Sequence, residues 1–350
     1  KIILAKTTEA ELMNFREMKD KNMITAMKFL QILHSYAYIA KQQYLLILIV
    51  HMVQLTLRHG ICKESCYGMA SFSFLLCQFE YFEEADHIGR LAVFLLDKCK
   101  AEEYRPSIYM TFGVVRSWSV HIEQSLDNHL HGFLVGMQTG NIETAMMNVF
   151  NYLINSFICG RNLVKLNREL DSFGGKALEY KQMAVHNLIC LMQLVVSTLL
   201  ISNDSPSLIG CQNTEIKDLL DQAKNTFAVC HVYILGYIEA YIFGEYELAA
   251  MMVEKRQEVE KTMSRRSLYF GMIDFYDGLV FLAMARKTND DKWTLGAAKA
   301  LSKLESFVQT GKANCEHKLF LLQAETKSLL GENENAISKY DSAIAVAGKN

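Results

Sequence analysis

Pro106 and Pro206 are the only prolines among 350 residues. Proline removes a backbone donor and clashes with the preceding helical turn, and all-β chains need many tight turns. A chain this poor in proline is suited to long helices joined by short loops. The apolar residues agree, recurring at helical spacing nearly everywhere without strand-like alternation. Breaks fall at polar or glycine-containing clusters: RHGICKES (58–65), KCKAEEYRPS (98–107), QTGNIE (138–143), CGRN (159–162), SFGGK (172–176), SNDSPSLIGCQNT (202–214), FGEYE (243–247), RKTNDDK (286–292), QTGKANCE (309–316) and LLGENEN (329–335). The segments between them, roughly 12 to 25 residues each, amount to about a dozen helices with the short connections of stacked antiparallel hairpins.

With 51% hydrophobic and 21% charged side chains, the chain can bury a large core. Its net charge is −2 and its lysines and arginines are scattered, Arg265-Arg266 being the only Arg-Arg pair. No electrostatic footprint points to nucleic acid or an anionic membrane. The nine cysteines lack the spacing of a disulfide framework, and most, such as Cys77, Cys159, Cys190 and Cys230, sit in apolar periodic segments. They read as reduced core residues of an intracellular, cytoplasmic protein. The first residue is Lys1, and no charged-then-apolar leader follows it. LLILIV (45–50) is broken by His51 and Gln54, and LICLMQLVVSTLLI (188–201) carries Gln193, Ser197 and Thr198. Both fall short of the roughly 18 apolar residues that cross a bilayer, so buried helices are expected and no membrane span.

Repeats decide the architecture. Gly331 is followed by Ala336, Tyr340 and Ala343 and preceded by Phe320 and Ala324, the offsets of a tetratricopeptide hairpin. Small residues at 324, 336 and 343 let backbones approach, Phe320 and Tyr340 fill the space beside them, and Gly331 is expected to end the first helix in a left-handed cap. The same punctuation recurs as Gly244 with Ala249 and Gly140 with Ala145, each glycine five residues before its alanine. A further copy, EYFEEADHIGRLA, places Ala85, Gly89 and Ala92 at matching positions but lacks the turn glycine. Spacing between copies is irregular. The expectation is an all-α, degenerate tetratricopeptide-like solenoid over residues 1–350, with a possible sub-boundary at the loop 202–214.

The chain also resembles a known family. HMVQLTLRHGICKESCYGMASF (51–72) is similar to the opening of the tetratricopeptide-like region in multidomain signalling proteins. Those proteins join a serine/threonine protein kinase, a STAND-type AAA ATPase, this helical region, a GAF domain and often a histidine kinase. Further resemblances run in the same order: AMKFLQILHSYAYIA (26–40), IGRLAVFLLDK (88–98), SLDNHLHGFLVGMQTGNIETAM (125–146), YLINSFICGRNLVKLNREL (152–170), IFGEYELAA (242–250), FYDGLVFLAMAR (275–286) and NCEHKLFLLQAETKSLLGENENAISKYDSAIAVA (314–347). The sequence departs at Tyr36, where the family has proline, and at 202–214, which is less acidic. The resemblance implies a sensor and scaffold between an ATPase switch and an output module, a fragment of a larger protein. ATP, magnesium and the kinase activities would belong to the parent, and the partners would be proteins or neighbouring domains of the same chain. A terminal repeat normally ends in a polar capping helix, so more repeats are expected beyond Ala347.

No chemistry is legible within the segment. The pairs Gly175-Lys176, Gly311-Lys312 and Gly348-Lys349 are followed by Ala177, Ala313 and Asn350, which supply no magnesium-binding hydroxyl for a Walker A loop. There is no H-R-D kinase loop, and DSFG (171–174) reads as a helix end. His59, Cys62 and Cys66 form the most metal-like cluster, but a structural zinc site needs four ligands, and a helix start with two packed thiols accounts for them. His129 and His131, two apart, point to opposite sides of a helix and read as surface or partly buried. Asp274 and Asp277, one turn apart, resemble an acid/base pair but more often cap or solvate a helix. Seventeen methionines and nineteen phenylalanines could line an adaptable groove, though packing between hairpins explains most of them. Trp118 and Trp293 read as hairpin-packing anchors. A non-catalytic interaction scaffold is therefore expected. The alternatives are a free-standing helical adaptor and a helical enzyme with a thiol or zinc site, for which no catalytic, cofactor or metal residue can be assigned.

Overall fold

The computed structural model describes residues 10–11, 14–201, 226–261, 271–309 and 311–349. The loop 202–214 and Arg265-Arg266 lie outside them. Among the described residues there are fifteen α-helices and no strand, against the dozen helices expected. The chain divides into two compact units, Lys1–Tyr152 and Leu153–Asn350.

The first unit holds α1 (Lys21–Ala40), α2 (Leu45–His59), α3 (Lys63–Gln78), α4 (Phe82–Cys99), α5 (Arg105–Arg116) and α6 (Leu126–Thr139), with the start of α7 (Ile142–Ile158). Local chemistry sets their ends. Asp20 caps α1 by accepting the backbone N–H of Asn22 at 2.8 Å. Pro106 sits in the first turn of α5, where its missing N–H costs nothing. α4 begins with Glu83 and Glu84 and ends with Lys98, matching the helix dipole. Its apolar stripe of Phe82, Ala85, Ile88, Leu91, Ala92, Leu95 and Leu96 is buried against α3 and α5. Trp118, buried just after α5, stacks on Phe82 with ring centroids 4.4 Å apart. Ahead of α1, the backbone of 16–18 pairs with Ile61: Met18 N–H donates to its carbonyl at 2.8 Å, and its N–H donates to Arg16 at 2.9 Å. A Cβ on Gly60 (φ 105°) would lie 2.3 Å from the Arg16 carbonyl oxygen, so this clasp requires glycine.

The second unit holds the rest of α7, then α8 (Leu163–Glu179), α9 (Met183–Ile201), α10 (Thr226–Ile242), α11 (Tyr246–Glu260), α12 (Met272–Thr288), α13 (Asp291–Val308), α14 (Lys312–Leu329) and α15 (Asn333–Ala347). Consecutive helices from α8 onward pack on one another. In addition α10 packs on α12 and α12 on α14, so alternate helices form a second row of contacts.

One turn joins hairpin after hairpin. At Glu80 the chain enters the left-handed region (φ 64°), and its N–H donates to Cys77 while that of Tyr81 reaches back to Leu76. This pair of bonds satisfies two carbonyls at the helix end. It recurs at Lys100, Gly160, Lys181, Gly244 and Gly331. After three of these turns the next residue has nearly one conformation: Tyr81 (−90°, 65°), Glu245 (−82°, 64°) and Glu332 (−79°, 62°). Its carbonyl then accepts the N–H of Ala85, Ala249 or Ala336 at 2.9 Å, and each alanine is buried. The copy without a turn glycine thus makes the same turn, with Glu80 in the glycine's place.

Two expected breaks are corrected. SFGGK (172–176) and DSFG (171–174) lie inside α8, which ends at Glu179, is capped by Tyr180 and turns at Lys181. Gly174 is buried near Ile189 of α9 and Gly175 is open to solvent. Glycine pairs lower helix propensity, but Leu166, Leu170 and Ala177 are buried in register on either side and hold the helix. The apolar run at 188–201 belongs to a helix that begins at Met183, 19 residues in all, and by length and composition it is long enough to cross a membrane. Within the protein α9 packs against α8 and α10, burying Leu188, Ile189, Val195 and Val196. No second described helix passes that test.

The same substitution at two glycines should act in opposite directions. Gly331→Ala places a Cβ at φ 77° and should cost about 1 kcal/mol, whereas Gly175→Ala, in an open helix interior, should add roughly 0.5–1 kcal/mol. Denaturant midpoints of the two variants against the parent chain check both signs.

Candidate functional site

The hairpin of α14 and α15 carries the residues that define the sequence repeat. Ala324, Ala336 and Ala343 are buried where the two helices meet. Tyr340 donates its hydroxyl to Glu325 at 2.7 Å, and Lys339 lies 5.0 Å from the Phe320 ring centroid. The opposite face of α15 is open. Ile337 is 61% and Ile344 71% exposed, with Leu330 similarly exposed at the turn. Beside them lies a nearly flat, open surface of the same helix formed by Glu334, Ile337, Ser338, Asp341, Ser342 and Ala345. The helix thus has an apolar stripe on each side, one locked to its neighbour and one bare beside two carboxylates. Ile337 and Ile344, seven residues apart, are legible in the sequence as a second stripe, masked there by the stronger alanine pattern.

The other repeat positions are spread over both units. In the first, Ala85 and Ala92 are buried. A Cβ on Gly89 would lie 2.4 Å from the Phe112 ring. Gly140 turns left-handed (φ 78°), and Ala145 is buried against Gly136. In the second, Gly244 (φ 80°) opens the turn before buried Ala249.

Asp274 and Asp277 behave differently from a solvated pair. Asp277 is buried, and its Oδ2 accepts Arg256 Nη2 at 2.5 Å; Arg256, also buried, donates Nη1 to Glu260 at 2.6 Å. The guanidinium carbon lies 5.9 Å from the Tyr237 ring centroid. Burial pushes Asp277 up to about 7, against the pull of Arg256 and with the nearby charges of Asp274 and Glu260 adding to the push. Two carboxylates on one guanidinium leave the deeper one short of compensation, so the upward direction follows. Tyr237 Oη, Arg256 Nε and Asp277 Oδ1 are buried without a hydrogen-bond partner. Sequence reading missed this centre because its members come from α10, α11 and α12.

The thiol cluster opens α3. His59 ends α2, Cys62 caps α3 with its sulfur 3.6 Å from Ser65 Oγ, and Cys66 is buried. Among the described residues no three His, Cys, Asp or Glu side chains form a metal-holding group. The Cys99 thiol at the end of α4, which the sequence did not single out, pushes the Cys66 thiol up, and burial adds to that push. Beside it Tyr104 donates to buried Glu64 at 3.3 Å, and His34 Nδ1 lies 2.9 Å from Tyr67 Oη. His129 is fully buried, against the expectation of a surface or partly buried ring, and lies 3.2 Å from Asn148 Oδ1; His131 is exposed. Trp293 is buried against Phe281.

No protein-family model, no curated protein and no solved structure matches the chain.

Two measurements probe these centres. Arg256→Met strands a buried carboxylate and should cost about 3–5 kcal/mol, most of which Asp277→Leu in the same chain should restore; urea titrations of the single and double variants decide. The second is pH dependence. Burial holds His34, His129 and His231 down to about 4. A depressed imidazole favours the folded state above its ordinary value near 6.5, and that stability is lost as pH falls toward 4. Asp277, raised to about 7, acts with the opposite sign, its contribution fading as pH rises from about 4 to 7. Three groups outweigh one, so the urea midpoint should fall on acidification below pH 6.5, and Asp277→Asn should steepen that fall.

Proposed function

We propose that the chain is a non-catalytic protein-interaction scaffold, built as a degenerate tetratricopeptide-like solenoid, and that it docks an amphipathic helix on the bare face of α15. The carrying observation is the exposed stripe of Ile337 and Ile344 beside Glu334 and Asp341. An apolar stripe flanked by lysine or arginine complements that surface in both hydrophobicity and charge. The recurrent turn, the buried alanine after it and the packing of alternate helices support the solenoid reading. The exposed Phe29, Ile32, Leu33 and Tyr36 of α1 add a second apolar face suited to a protein partner.

The family resemblance supports a place for this scaffold in a cytoplasmic STAND-type signalling protein, between its ATPase switch and its output. There ATP and magnesium serve the neighbouring domains, and helix docking on the scaffold biases the switch. The complete transcript tests this: a Walker A loop or an H-R-D loop encoded upstream supports it, and their absence leaves the reading of a free-standing adaptor.

Ile337→Glu with Ile344→Glu should leave the melting temperature within a degree or so, since both side chains already face solvent. Quantitative cross-linking in cell extract should then show proteins bound by the parent chain and lost from the double variant. Identical partner sets for the two proteins would sink the proposal.

A further inference from the structure

We propose that the helix taken up by α15 is α1 of a second copy of this chain, so that copies associate head to tail. The inference rests on the reading of α15 as a docking surface and names its partner. α1 has the chemistry that surface requires. On one side Met27 packs with Met52 of α2, and His34 meets Tyr67 of α3. On the other side Phe29, Ile32 and Tyr36 are each more than half exposed. Lys21 and Lys28 are exposed along the edge of that stripe, and α1 holds no carboxylate. Asp20, just ahead of it, is turned to its own helix as the cap. On α15 the sign is reversed. Glu334 and Asp341 border Ile337 and Ile344, and the one lysine, Lys339, lies over Phe320 of α14.

The spacing matches as well as the sign. Phe29 and Tyr36 are seven residues apart, as are Ile337 and Ile344, Lys21 and Lys28, and Glu334 and Asp341. Seven residues make two helical turns, about 10 Å, so two helices laid side by side bring all these pairs into register together. The flanks fix the direction. In a parallel contact the residue just before one helix's apolar position faces the residue four places after its counterpart on the other helix. With Phe29 beside Ile337 and Tyr36 beside Ile344, Lys28 falls opposite Asp341 and Lys21 opposite Glu334. An antiparallel contact would put the lysines and the carboxylates on opposite sides of the seam.

The contact is heterologous, since the face that one copy offers differs from the face that it receives. One helix face against another buries little area, so association in the range of about 10–100 μM is expected, weakening as salt screens the charges.

Sedimentation velocity of the full chain across that range is the test. The parent chain should associate as its concentration rises. Lys21→Glu with Lys28→Glu, and separately Glu334→Lys with Asp341→Lys, should each weaken association at least about tenfold, because both set like charges face to face. Mixing the two variants restores opposite charges at both faces, and association should return. In a mixture of isotope-labelled and unlabelled parent chains, a carbodiimide should join Lys28 to Asp341 and Lys21 to Glu334 between chains. The proposal is overturned if the parent stays monomeric, if either variant associates like the parent, if their mixture does not recover, or if those cross-links form only within one chain. The parent cross-links decide even where a variant fails to fold. A monomeric parent overturns the second copy alone, because the partner sets of the Ile337→Glu and Ile344→Glu double variant test α15 separately.

Discussion

Six of the helix junctions depend on one residue being able to turn left-handed at the end of a helix. That residue and the one after it send their N–H groups back to carbonyls the helix leaves open. The chain then leaves in a direction fixed by a third residue with φ near −85° and ψ near 63°, as Tyr81, Glu245 and Glu332 show. The second helix starts at once, and an inward position in its first turns falls on Ala85, Ala249 or Ala336. A larger side chain there would push the two helix axes apart at their closest approach, so small size follows from the turn.

That chain of cause explains what the sequence disclosed and what it hid. Where glycine fills the left-handed position, as at 140, 160, 244 and 331, the turn reads directly from the sequence. Glu80, Lys100 and Lys181 make the same turn with a Cβ, at a local cost of about 1–2 kcal/mol that packing on both sides absorbs. A glycine-based reading therefore missed the turns after α3 and α8. It went wrong in the opposite sense at Gly174-Gly175, where buried neighbours hold a weak helix former in place. The extra helices are those bounded by the unmarked turns and by the short 3-10 segments 42–44 and 122–125.

The candidate sites were less legible because their partners are far apart in sequence. Asp277 looked like half of an i,i+3 acidic pair, yet its decisive contact is Arg256, 21 residues upstream on another helix. Cys66 looked like part of a cluster with His59 and Cys62, and the thiol that most affects its proton is Cys99, on another helix. Periodicity can say that a residue faces inward, but the residue it meets there is set by hairpin register. Only the α15 stripe, written at a spacing of seven within one helix, could have been read directly.

The clasp at Gly60 ties together parts of the first unit that are distant in sequence. The backbone of 16–18 reaches its partner, Ile61, only after α2 has ended in a turn that no other residue type fits. The bonds that hold the segment ahead of α1 are thus formed with a residue more than forty positions further on. The segment's backbone is therefore fastened to the turn after α2 and not to the helix it leads into.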